Sequence, residues 1–411
     1  MKTENENKVG YKKTKLGWIP EDWEVIKLGD YSNIDKKSLK NSTNEDFQFK
    51  YISLSDVNNG ILNKNLPKLS FKDAPSRARR IVKVNDILLA TVRPNLKSFA
   101  HIKKINEPTI ASTGFAVIAS NTKLYSKFLY LNLFSHFLDA QFHSFVVGSN
   151  YPAINSSDVK NLKIPLPPLS EQKKIAEILS CWDTAIETTQ NLIEKLQLRK
   201  KGLMQQLLTG KKRLKGFSGE WDKVRFGKIV QERVEYSKKE LPLYSLTIKD
   251  GITPKTDRYK RSFLLKTKLN AYKKMYPNDF ALNPMNLRFG AIAKHKNNIN
   301  VNVSKYYNIF YCTESFNSIF FEYYLISNNM IQFYNKMAIG SLEEKKRVHF
   351  SDFVKFKKEL PTFKEQTAIA QILSKADEEI EQSQQYLETL QLQKKGLMQQ
   401  LLTGQKRVKL F

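Results

Sequence analysis

The 411-residue chain has few of the residues that build metal centres or disulfide frameworks. It contains two cysteines, Cys181 and Cys312, and five histidines, none of them at metal-ligand spacing. We therefore expect two free thiols that serve as small apolar side chains. No run of about 18 apolar residues is present and residues 1–15 are polar, so neither a membrane span nor a signal peptide is predicted. These absences favour a cytoplasmic protein.

Loops that carry common catalytic chemistry are also missing. No Gly-x-x-x-x-Gly-Lys-Ser/Thr segment occurs, so nothing predicts ATP hydrolysis in this chain. The segment Asn283–Asn286 begins like the Asn-Pro-Pro-aromatic loop of adenine methyltransferases, but it lacks the second proline and the aromatic residue that stacks on a flipped base. Asp158, Glu171 and Lys173 have the order of a metal-dependent nuclease site, yet a repeat of this region has Thr367 instead of the lysine. A structural turn and a helix start are the preferred interpretations.

Acidic residues are scarce relative to basic ones. There are 68 lysines and arginines against 40 aspartates and glutamates, a formal net charge of +28. Because basic side chains displace condensed counterions from phosphates, this excess indicates a polyanionic partner. With 41% hydrophobic and 26% charged residues, the chain is predicted to be folded, and its length predicts two or three domains.

A long internal duplication organises the sequence. Residues 171–217 and 365–411 align without a gap at an offset of 194, with 30 of 47 positions identical. The sequence Asp22-Trp23 that opens the first domain is echoed by Glu220-Trp221. The regions from about 30 to 155 and from about 230 to 350 cannot be aligned, so the plan is variable, fixed, variable, fixed.

Both fixed segments are predicted to be long helices with a coiled-coil seam. Spacings of four and three residues mark apolar positions over about five heptads, and Gly210 and Gly404 supply the stops. Proline with Ser170, and Thr362 with Glu365 at capping-box spacing, mark the starts. The first seam is Ile175, Leu179, Trp182, Ile186, Thr189, Ile193, Leu196, Lys200, Leu203 and Leu207, and the second is Ile369, Leu373, Ala376, Ile380, Ser383, Leu387, Leu390, Lys394, Leu397 and Leu401.

We expect the two helices to pair with each other in antiparallel orientation, since neither can bury its seam against its own small domain. Gly202 and Gly396 interrupt good helical sequence, which favours a close backbone approach over simple tolerance. Residues 170–209 carry a net charge of +1 and residues 364–403 a net charge of −2, so the remaining residues carry +29. The nucleic-acid surface is therefore predicted on the variable domains and their joints.

The motifs together resemble those of Type I restriction enzyme specificity subunits. They are Trp23-Glu24 and Trp221-Asp222, the Pro-Leu-Pro-Pro-x-x-Glu-Gln turn at 165–172, the helix ends at 200–210 and 394–404, Asp86–Ala90 with Arg93-Pro94, and Gly251 with Asn283–Gly290. The second copy has Leu-Pro-Thr-Phe at 360–363 where the first has Leu-Pro-Pro-Leu at 166–169, so one proline is lost. The resemblance covers essentially the whole chain.

The resemblance implies two target-recognition domains that each read half of a bipartite asymmetric double-stranded DNA site. It also implies two methylation subunits docked on the helices, with restriction/translocase subunits joining the assembly. The chain itself is expected to be non-catalytic and to hold no cofactor, with S-adenosylmethionine, ATP and Mg²⁺ in the partner subunits. A single-chain modification–restriction enzyme and a coiled-coil RNA-binding protein are the alternatives.

The predicted fold class is α+β, with two mixed domains separated by two long helices in an antiparallel coiled coil. The predicted boundaries are a first recognition domain at 1–165, a first helix at 166–210, a second recognition domain at 211–359, and a second helix with its tail at 360–411. The tail replays residues 211–217, which lead into Trp221, so we expect Phe411 to lie near Trp18 and Trp23. The expected core includes Ile52, Leu54, Ile87, Leu88, Val117, Tyr244, Leu246, Phe280 and Ile292.

Basic and amide side chains near aromatics are the candidates for DNA contact, because Arg recognises guanine and Asn or Gln recognises adenine. About half are expected to be ordinary surface charges, and Arg93 and Arg288 rank highest because each follows a predicted strand. In the first domain the candidates are Arg77, Arg79, Arg80, Arg93, Asn95, Lys97, Asn150 and Tyr151. In the second they are Lys255, Arg258, Lys260, Arg261, Lys273, Lys274, Asn286, Arg288, Lys294 and Arg347. Candidates for partner binding on the helices are Ile178, Leu192, Leu198, Gly202, Ile372, Leu392 and Gly396.

Overall fold

The computed structural model describes residues 9–58, 60–145, 152–237, 241–255 and 272–409. The chain divides into two compact units. Unit 1 comprises Met1–Thr189 and Tyr386–Phe411, and unit 2 comprises Gln190–Gln385. This division cuts each long helix near its middle, whereas the sequence analysis placed domain boundaries at the helix ends.

Unit 1 contains two four-stranded sheets with short helices beside them. Its strands are β1 (Tyr11–Thr14), β2 (Gly17–Pro20), β3 (Glu24–Lys27), β4 (Ser32–Ile34), β5 (Gln48–Ile52), β6 (Val57–Asn58), β7 (Ile61–Leu62), β8 (Lys68–Ser70), β9 (Ala78–Val82), β10 (Ile87–Ala90), β11 (Phe99–His101), β12 (Thr109–Ser112), β13 (Phe115–Ser120) and β14 (Lys163–Leu166). Its short helices are α1 (Leu28–Tyr31), α2 (Ser126–Asn132), α3 (His136–Phe145) and α4 (Ser156–Asn161). The sheet orders are β11-β10-β13-β4, which is antiparallel, and β8-β5-β12-β9, in which β5 and β12 are parallel.

Unit 2 repeats the first of these sheets. Its strands are β15 (Asp222–Arg225), β16 (Val230–Arg233), β17 (Tyr244–Thr247), β18 (Gly251–Pro254), β19 (Tyr272–Met275), β20 (Phe280–Leu282), β21 (Ile292–Lys294), β22 (Val301–Ser304), β23 (Asn308–Cys312) and β24 (Lys357–Leu360). Its short helices are α6 (Ser318–Leu325), α7 (Asn328–Met337) and α8 (Phe350–Phe353). The antiparallel order β21-β20-β23-β16 matches β11-β10-β13-β4 element by element, and β24 pairs with β15 as β14 pairs with β3. The α+β prediction is confirmed.

The two long helices are α5 (Leu169–Leu207) and α9 (Phe363–Leu402). Within unit 1, Asp183 of α5 pairs with Lys394, near the far end of α9. Within unit 2, Lys200 near the end of α5 pairs with Asp377, in the first half of α9. Early residues of one helix therefore meet late residues of the other in each unit, and the antiparallel orientation is confirmed.

All twenty predicted seam positions are buried or half-buried. Two of them are lysines, Lys200 and Lys394, and the ion pairs just described compensate their charges. After the helices, Gly210 and Gly404 adopt φ of 69° and 71°, as expected for a glycine stop. Among the predicted core residues, Leu54 and Leu246 are half-buried and the others are buried.

The prediction for the cysteines was right for only one of them. Both are free, but Cys312 packs beside the core of unit 2, where burial raises its pKa to about 12. Cys181 lies exposed on α5, so it does not serve as a buried apolar side chain. Among the described residues, no helix is long and apolar enough to cross a membrane.

Candidate nucleic-acid interface

Each unit contains one β-hairpin of the same construction at one edge of its repeated sheet. The hairpin β10–β11 pairs Ile87 with His101, and β20–β21 pairs Phe280 with Lys294, at a constant offset of 193 residues. The Asn85 N–H donates to the Ile102 carbonyl at 2.8 Å, and the equivalent bond from Asn278 is 2.9 Å. Few positions of the hairpins are identical, namely Asn85, Asp86, Leu89 and Ala100 with their counterparts Asn278, Asp279, Leu282 and Ala293. The sequence analysis did not align these regions, and the structure corrects that conclusion.

The shared Asn-Asp turn explains why those two identities persist. Asn85 and Asn278 have φ of 70° and 67°, a left-handed conformation that asparagine tolerates better than most residues. Asp86 accepts a hydrogen bond from the Lys83 N–H at 2.7 Å, and Asp279 accepts the equivalent bond at 2.9 Å. Burial raises the pKa of both carboxyl groups. The turn thus fixes the start of the hairpin in both units.

At its other end each hairpin closes through an equivalent 3₁₀ turn, Pro94–Leu96 in unit 1 and Leu287–Phe289 in unit 2. The residue after each turn is left-handed, Lys97 with φ of 52° and Gly290 with φ of 93°. The Leu96 N–H donates to the Arg93 carbonyl at 2.9 Å, and the equivalent bond from Phe289 to Asn286 is 3.0 Å. A rigid frame therefore presents the side chains of both turns.

In unit 1 the structure places Arg77, and the segment that leads to Arg93 and Asn95, beside the turn at 113–114. Arg77, Arg93 and Asn95 are exposed. The Arg77 carbonyl accepts a hydrogen bond from the Thr113 N–H, while the adjacent Gly114 carbonyl accepts one from Thr91, at the start of the Arg93 turn. The predicted residues thus flank a common loop.

Other candidates of unit 1 are engaged in contacts within the domain. Arg80 pairs with the buried Asp35 at 3.1 Å, and Lys97 pairs with Asp139 at 2.8 Å. The Arg79 guanidinium lies over the Phe71 ring, 4.9 Å from its centroid. These contacts give the three side chains structural roles, which the sequence analysis did not predict.

In unit 2 the ranking of Arg288 needs correction. Its side chain is only 9% exposed, and it is paired with Glu343 and donates to the Glu343 carbonyl at 2.8 Å. Its guanidinium also lies over the Phe289 ring, 4.3 Å from the centroid. Arg288 therefore anchors the 3₁₀ turn to the loop 339–347, and the exposed amide of this turn is Asn286.

Three lysines of unit 2 that were predicted to contact DNA are buried or form contacts within the unit. Lys273 is buried and donates to the Tyr307 carbonyl at 2.9 Å, and Lys274 pairs with Glu235 at 3.3 Å. Lys294 is buried, and its burial lowers the pKa of the ammonium group. These three are better explained by structure than by DNA contact.

The remaining candidates are less constrained or lie outside the description. Lys255 and Arg347 are half-exposed. The Arg347 backbone is bridged to Ile339, which closes the loop that carries the basic residues Lys345 and Lys346. Asn150, Tyr151, Arg258, Lys260 and Arg261 lie outside the described residues.

An open cleft of about 770 Å³ lies beside the segment that leads into the 3₁₀ turn of unit 2. Arg225, Lys228 and His349 line it, together with Pro284, which begins the approach to the turn. Arg225 and Lys228 were not among the sequence candidates, because they come together with His349 and Pro284 only in the folded domain. Arg225 and Lys228 suit a phosphate group, although the carboxylate of Glu232 also lines the cleft.

Two buried glutamates near the starts of the long helices form hydrogen bonds to their domains. We call each of these hydrogen-bonded clusters a joint. In unit 1, Glu171 accepts two hydrogen bonds from Arg407 at 2.8 and 2.9 Å and one from the Trp23 indole at 3.1 Å. Arg407 also donates two 2.9 Å bonds to Asp22. The tail of the chain therefore lies on the first domain, where Val408 also packs against the core. Phe411, which was predicted to lie there, is outside the described residues.

Unit 2 contains the same joint. Glu365 accepts two 2.7 Å hydrogen bonds from Arg213 and a 3.2 Å bond from the Trp221 indole. Its carboxylate serves this joint and not the predicted capping box with Thr362. In unit 1, Asp158 forms a capping box with Asn155 at the start of α4. The predicted helix-start role is thus confirmed for Asp158, whereas the carboxylate of Glu171 serves the joint.

Comparison with known proteins finds a similarity that covers most of the first unit and part of the first long helix. Residues 20–198 match the model of the Type I restriction modification DNA specificity domain. This part of the chain is thus similar to Type I restriction specificity subunits. It is 33% identical over 214 residues to the Type I restriction enzyme MjaVIII specificity subunit of Methanocaldococcus jannaschii, covering 51% of this chain and 50% of the relative. It is 28% identical over 181 residues to the HindI specificity subunit of Haemophilus influenzae, covering 43% of this chain and 38% of the relative. The matched part therefore spans half or less of these relatives.

Solved structures share the fold over nearly the whole chain. A chain from a study of complex assembly and conformational transition in a type I R-M system has a TM-score of 0.64 at 21% identity, covering 94% of this chain and 99% of that one. The HsdS subunit of Thermoanaerobacter tengcongensis has a TM-score of 0.52 at 22% identity, covering 94% of this chain and 98% of that one. At these identities the likeness supports the fold alone.

The predicted partner surface on the two long helices is only partly available. Ile178 and Ile372 pack against the cores of their own units, so they are not free to bind another protein. Leu192, Leu198 and Leu392 are exposed. A Cβ added at Gly202 or Gly396 would meet nothing within 4 Å, so the predicted close backbone approach was wrong for the helix pair.

Proposed function

We propose that this chain is the DNA sequence-specificity subunit of a Type I restriction–modification complex, and that each unit reads one half of a bipartite, asymmetric DNA target. The observation that carries the proposal is the pair of equivalent hairpins, which share one frame and differ at the exposed turn. The first turn offers Arg93 and Asn95, while the second offers Asn286. Arginine and asparagine side chains recognise different bases, so one frame supports two different readings.

Positive charge supplies the affinity that base contacts then refine. The excess of +28 lies almost entirely outside the near-neutral helices. Phosphate contacts by lysines and arginines position a protein on a duplex without reading its sequence. Arg225 and Lys228 in the cleft of unit 2, and Arg77 in unit 1, are proposed to act in this way.

The helices are proposed to set the spacing between the half-sites and to dock two methylation subunits, one on each pseudo-equivalent face. Leu192 and Leu198 on α5 and Leu392 on α9 are exposed apolar residues that suit such contacts. Restriction/translocase subunits join this assembly in a cytoplasmic complex. The chain contributes no catalytic group, and S-adenosylmethionine, ATP and Mg²⁺ are bound by the partners.

The deciding experiment exchanges residues 30–155 for those of another specificity subunit and maps methylated adenines in cells that also express the methylation subunits. Because the hairpin of unit 1 lies inside the exchanged segment, one half of the target should change while the other half and the spacer length persist. A change in both half-sites would contradict the proposal. Methyl transfer by the chain alone would instead favour a single-chain enzyme, and stronger competition by RNA than by duplex DNA would favour an RNA-binding protein.

Stoichiometry tests the docking part separately. Native mass measurement with saturating methylation subunit should give two of these subunits per chain. The helix start and its joint occur twice in the chain, so two equivalent docking faces are expected. A stable one-to-one complex at saturation would contradict this expectation without affecting the assignment of the half-sites.

A further inference from the structure

An unexpected feature of the paired hairpins is an apolar side chain at the tip of each. Leu96 is 57% exposed and Phe289 is 50% exposed. Each is the third residue of its 3₁₀ turn, and each precedes a left-handed residue that ends the turn. Exposed turns normally carry small or polar residues, so a large apolar side chain at the same position of both turns is unusual.

The backbone around these residues leaves them little freedom to fold back onto the domain. The first residue of each turn, Pro94 or Leu287, is buried and anchors the turn to the sheet. The third residue points from a turn that is closed by hydrogen bonds on both sides. The backbone of each turn therefore keeps the side chain of Leu96 or Phe289 away from the core.

Basic and amide side chains outnumber acidic ones beside both tips. Arg93 and Asn95 adjoin Leu96 in the first turn. In the second turn, Arg288 stacks on Phe289 while it pairs with Glu343, and the neighbouring loop carries Lys345, Lys346 and Arg347 beside Glu343 and Glu344. An apolar residue among cations is poorly suited to a basic or neutral protein surface. It is well suited to DNA, where the cations meet phosphates and the apolar group meets a base.

We infer that Leu96 and Phe289 are specificity-determining residues that make apolar contact with the base pairs of their respective half-sites. This inference rests on the proposed function and adds two residues that charge and hydrogen-bonding patterns do not identify. Apolar side chains contact the thymine methyl group or insert between base steps, and both modes need a rigid, projecting residue. The two tips differ in shape, leucine against phenylalanine, as expected of residues that read different sequences.

The test uses the full chain with its methylation subunits and compares Leu96→Ala, Phe289→Ala and wild type by mapping methylated adenines. Loss of an apolar base contact should lower the preference for the cognate base pair by about 5- to 30-fold at one or two positions. Leu96→Ala should relax one half-site only, and Phe289→Ala should relax the other. Leu96→Met, which keeps the apolar volume, should retain the wild-type preference.

Matched controls are available at the opposite end of each hairpin. Val84 is 48% exposed beside the Asn85 turn, and Ile299 is 47% exposed in the segment that follows β21. Val84→Ala and Ile299→Ala remove comparable exposed apolar surface, so both should leave the methylation pattern unchanged. Thermal unfolding of all four alanine variants should stay close to wild type, because none of the side chains is buried.

The outcomes separate this inference from the proposed function. Wild-type methylation of a bipartite target with unchanged preference in both tip variants would overturn the inference alone. Equal relaxation of both half-sites by either variant would also overturn it. Absence of sequence-specific methylation by the wild-type complex would instead contradict the proposed function. If Leu96→Ala fails to fold, the comparison of Leu96→Phe with Leu96→Met decides, because only a base-contacting tip responds to the added ring with an altered half-site.

Discussion

The joint between the C-terminal tail and unit 1 makes a quantitative prediction for Arg407→Ala. Glu171 is only 1% exposed, and Arg407 supplies two of the hydrogen bonds to its carboxylate. Removing one partner of a fully buried ion pair costs about 3–5 kcal/mol. The Arg407 side chain is 42% exposed, so in the variant water can partly replace it beside Glu171. The ion pair between Arg407 and the half-exposed Asp22 contributes at most about 1 kcal/mol to stability. We expect the free energy of unfolding of unit 1 to fall by about 2–3 kcal/mol.

Calorimetry and hydrogen exchange would measure this change. For a unit of about 200 residues, each kcal/mol shifts Tm by about 2–4 °C, so the transition of unit 1 should fall by about 4–12 °C. Amide exchange should accelerate in β3 and β14 of unit 1. The equivalent pair β15 and β24, whose joint uses Arg213, should be unaffected and serves as an internal control.

A matched variant and a double-mutant cycle make the test specific. Lys406→Ala removes the neighbouring exposed cation and should change stability by less than about 0.5 kcal/mol. Arg407→Met and Glu171→Gln should each destabilise unit 1, while their combination should recover at least about 1 kcal/mol of the summed loss. If Arg407→Ala behaved like Lys406→Ala, or if the cycle showed no coupling, the tail would not form the joint described here.

Further predictions concern the long helices and the loss of stability at acid pH. Gly202→Ala and Gly396→Ala should each stabilise the chain by up to about 1 kcal/mol in thermal unfolding, because the added methyl group meets nothing in the helix pair. Leu198→Glu and Leu392→Glu should leave unfolding within about 0.5 kcal/mol of wild type yet weaken binding of the methylation subunit in a titration, since both side chains are exposed. The hydrogen bonds from Arg407 hold the pKa of Asp22 below its ordinary value, so this stabilisation is present above about pH 4 and is lost as pH falls through the lower folded pKa. Asp22→Asn should therefore show a smaller loss of stability than wild type when unfolding is followed from pH 6 to pH 2.

The long helices were predictable because their signal is local and periodic. A spacing of four and three residues depends only on which side chains are apolar, and all the seam positions are at least half-buried. The pairing of Lys200 and Lys394 with aspartates of the opposite helix was not predictable from that pattern. It depends on the orientation and register of the helix pair, and neither quantity is written in one helix alone.

The DNA-contact candidates were less predictable, because composition does not separate exposed cations from buried ones. Lys273 lies in a basic pair and Arg288 follows a strand, yet the Tyr307 carbonyl accepts a hydrogen bond from Lys273 and the Glu343 side chain pairs with Arg288. Those partners are 34 and 55 residues away in sequence. Conversely, Leu96 and Phe289 gave no signal in a search for basic and amide residues.

The two hairpins share backbone conformation and only a few residue identities. Asn85 and Asp86 recur in the second unit because a left-handed turn and a buried acceptor restrict the residues that fit. At the 3₁₀ turn, the restriction applies to the backbone and to one buried anchor, and it leaves the neighbouring side chains free to vary. Alignment by residue identity therefore fails in a segment whose backbone hydrogen bonds repeat.

The joints extend the same argument to the duplication. Each carboxylate belongs to the start of one long helix, and each arginine follows the end of the other copy, as with Glu171 and Arg407 in unit 1 and Glu365 and Arg213 in unit 2. An antiparallel pair of equal helices brings the end of one copy beside the start of the other. The repeated Lys-Arg segment after each helix is therefore required by the buried glutamate of the opposite copy. The physical reason that the duplication extends past Gly210 and Gly404 into the tail is this reciprocal supply of a positive charge.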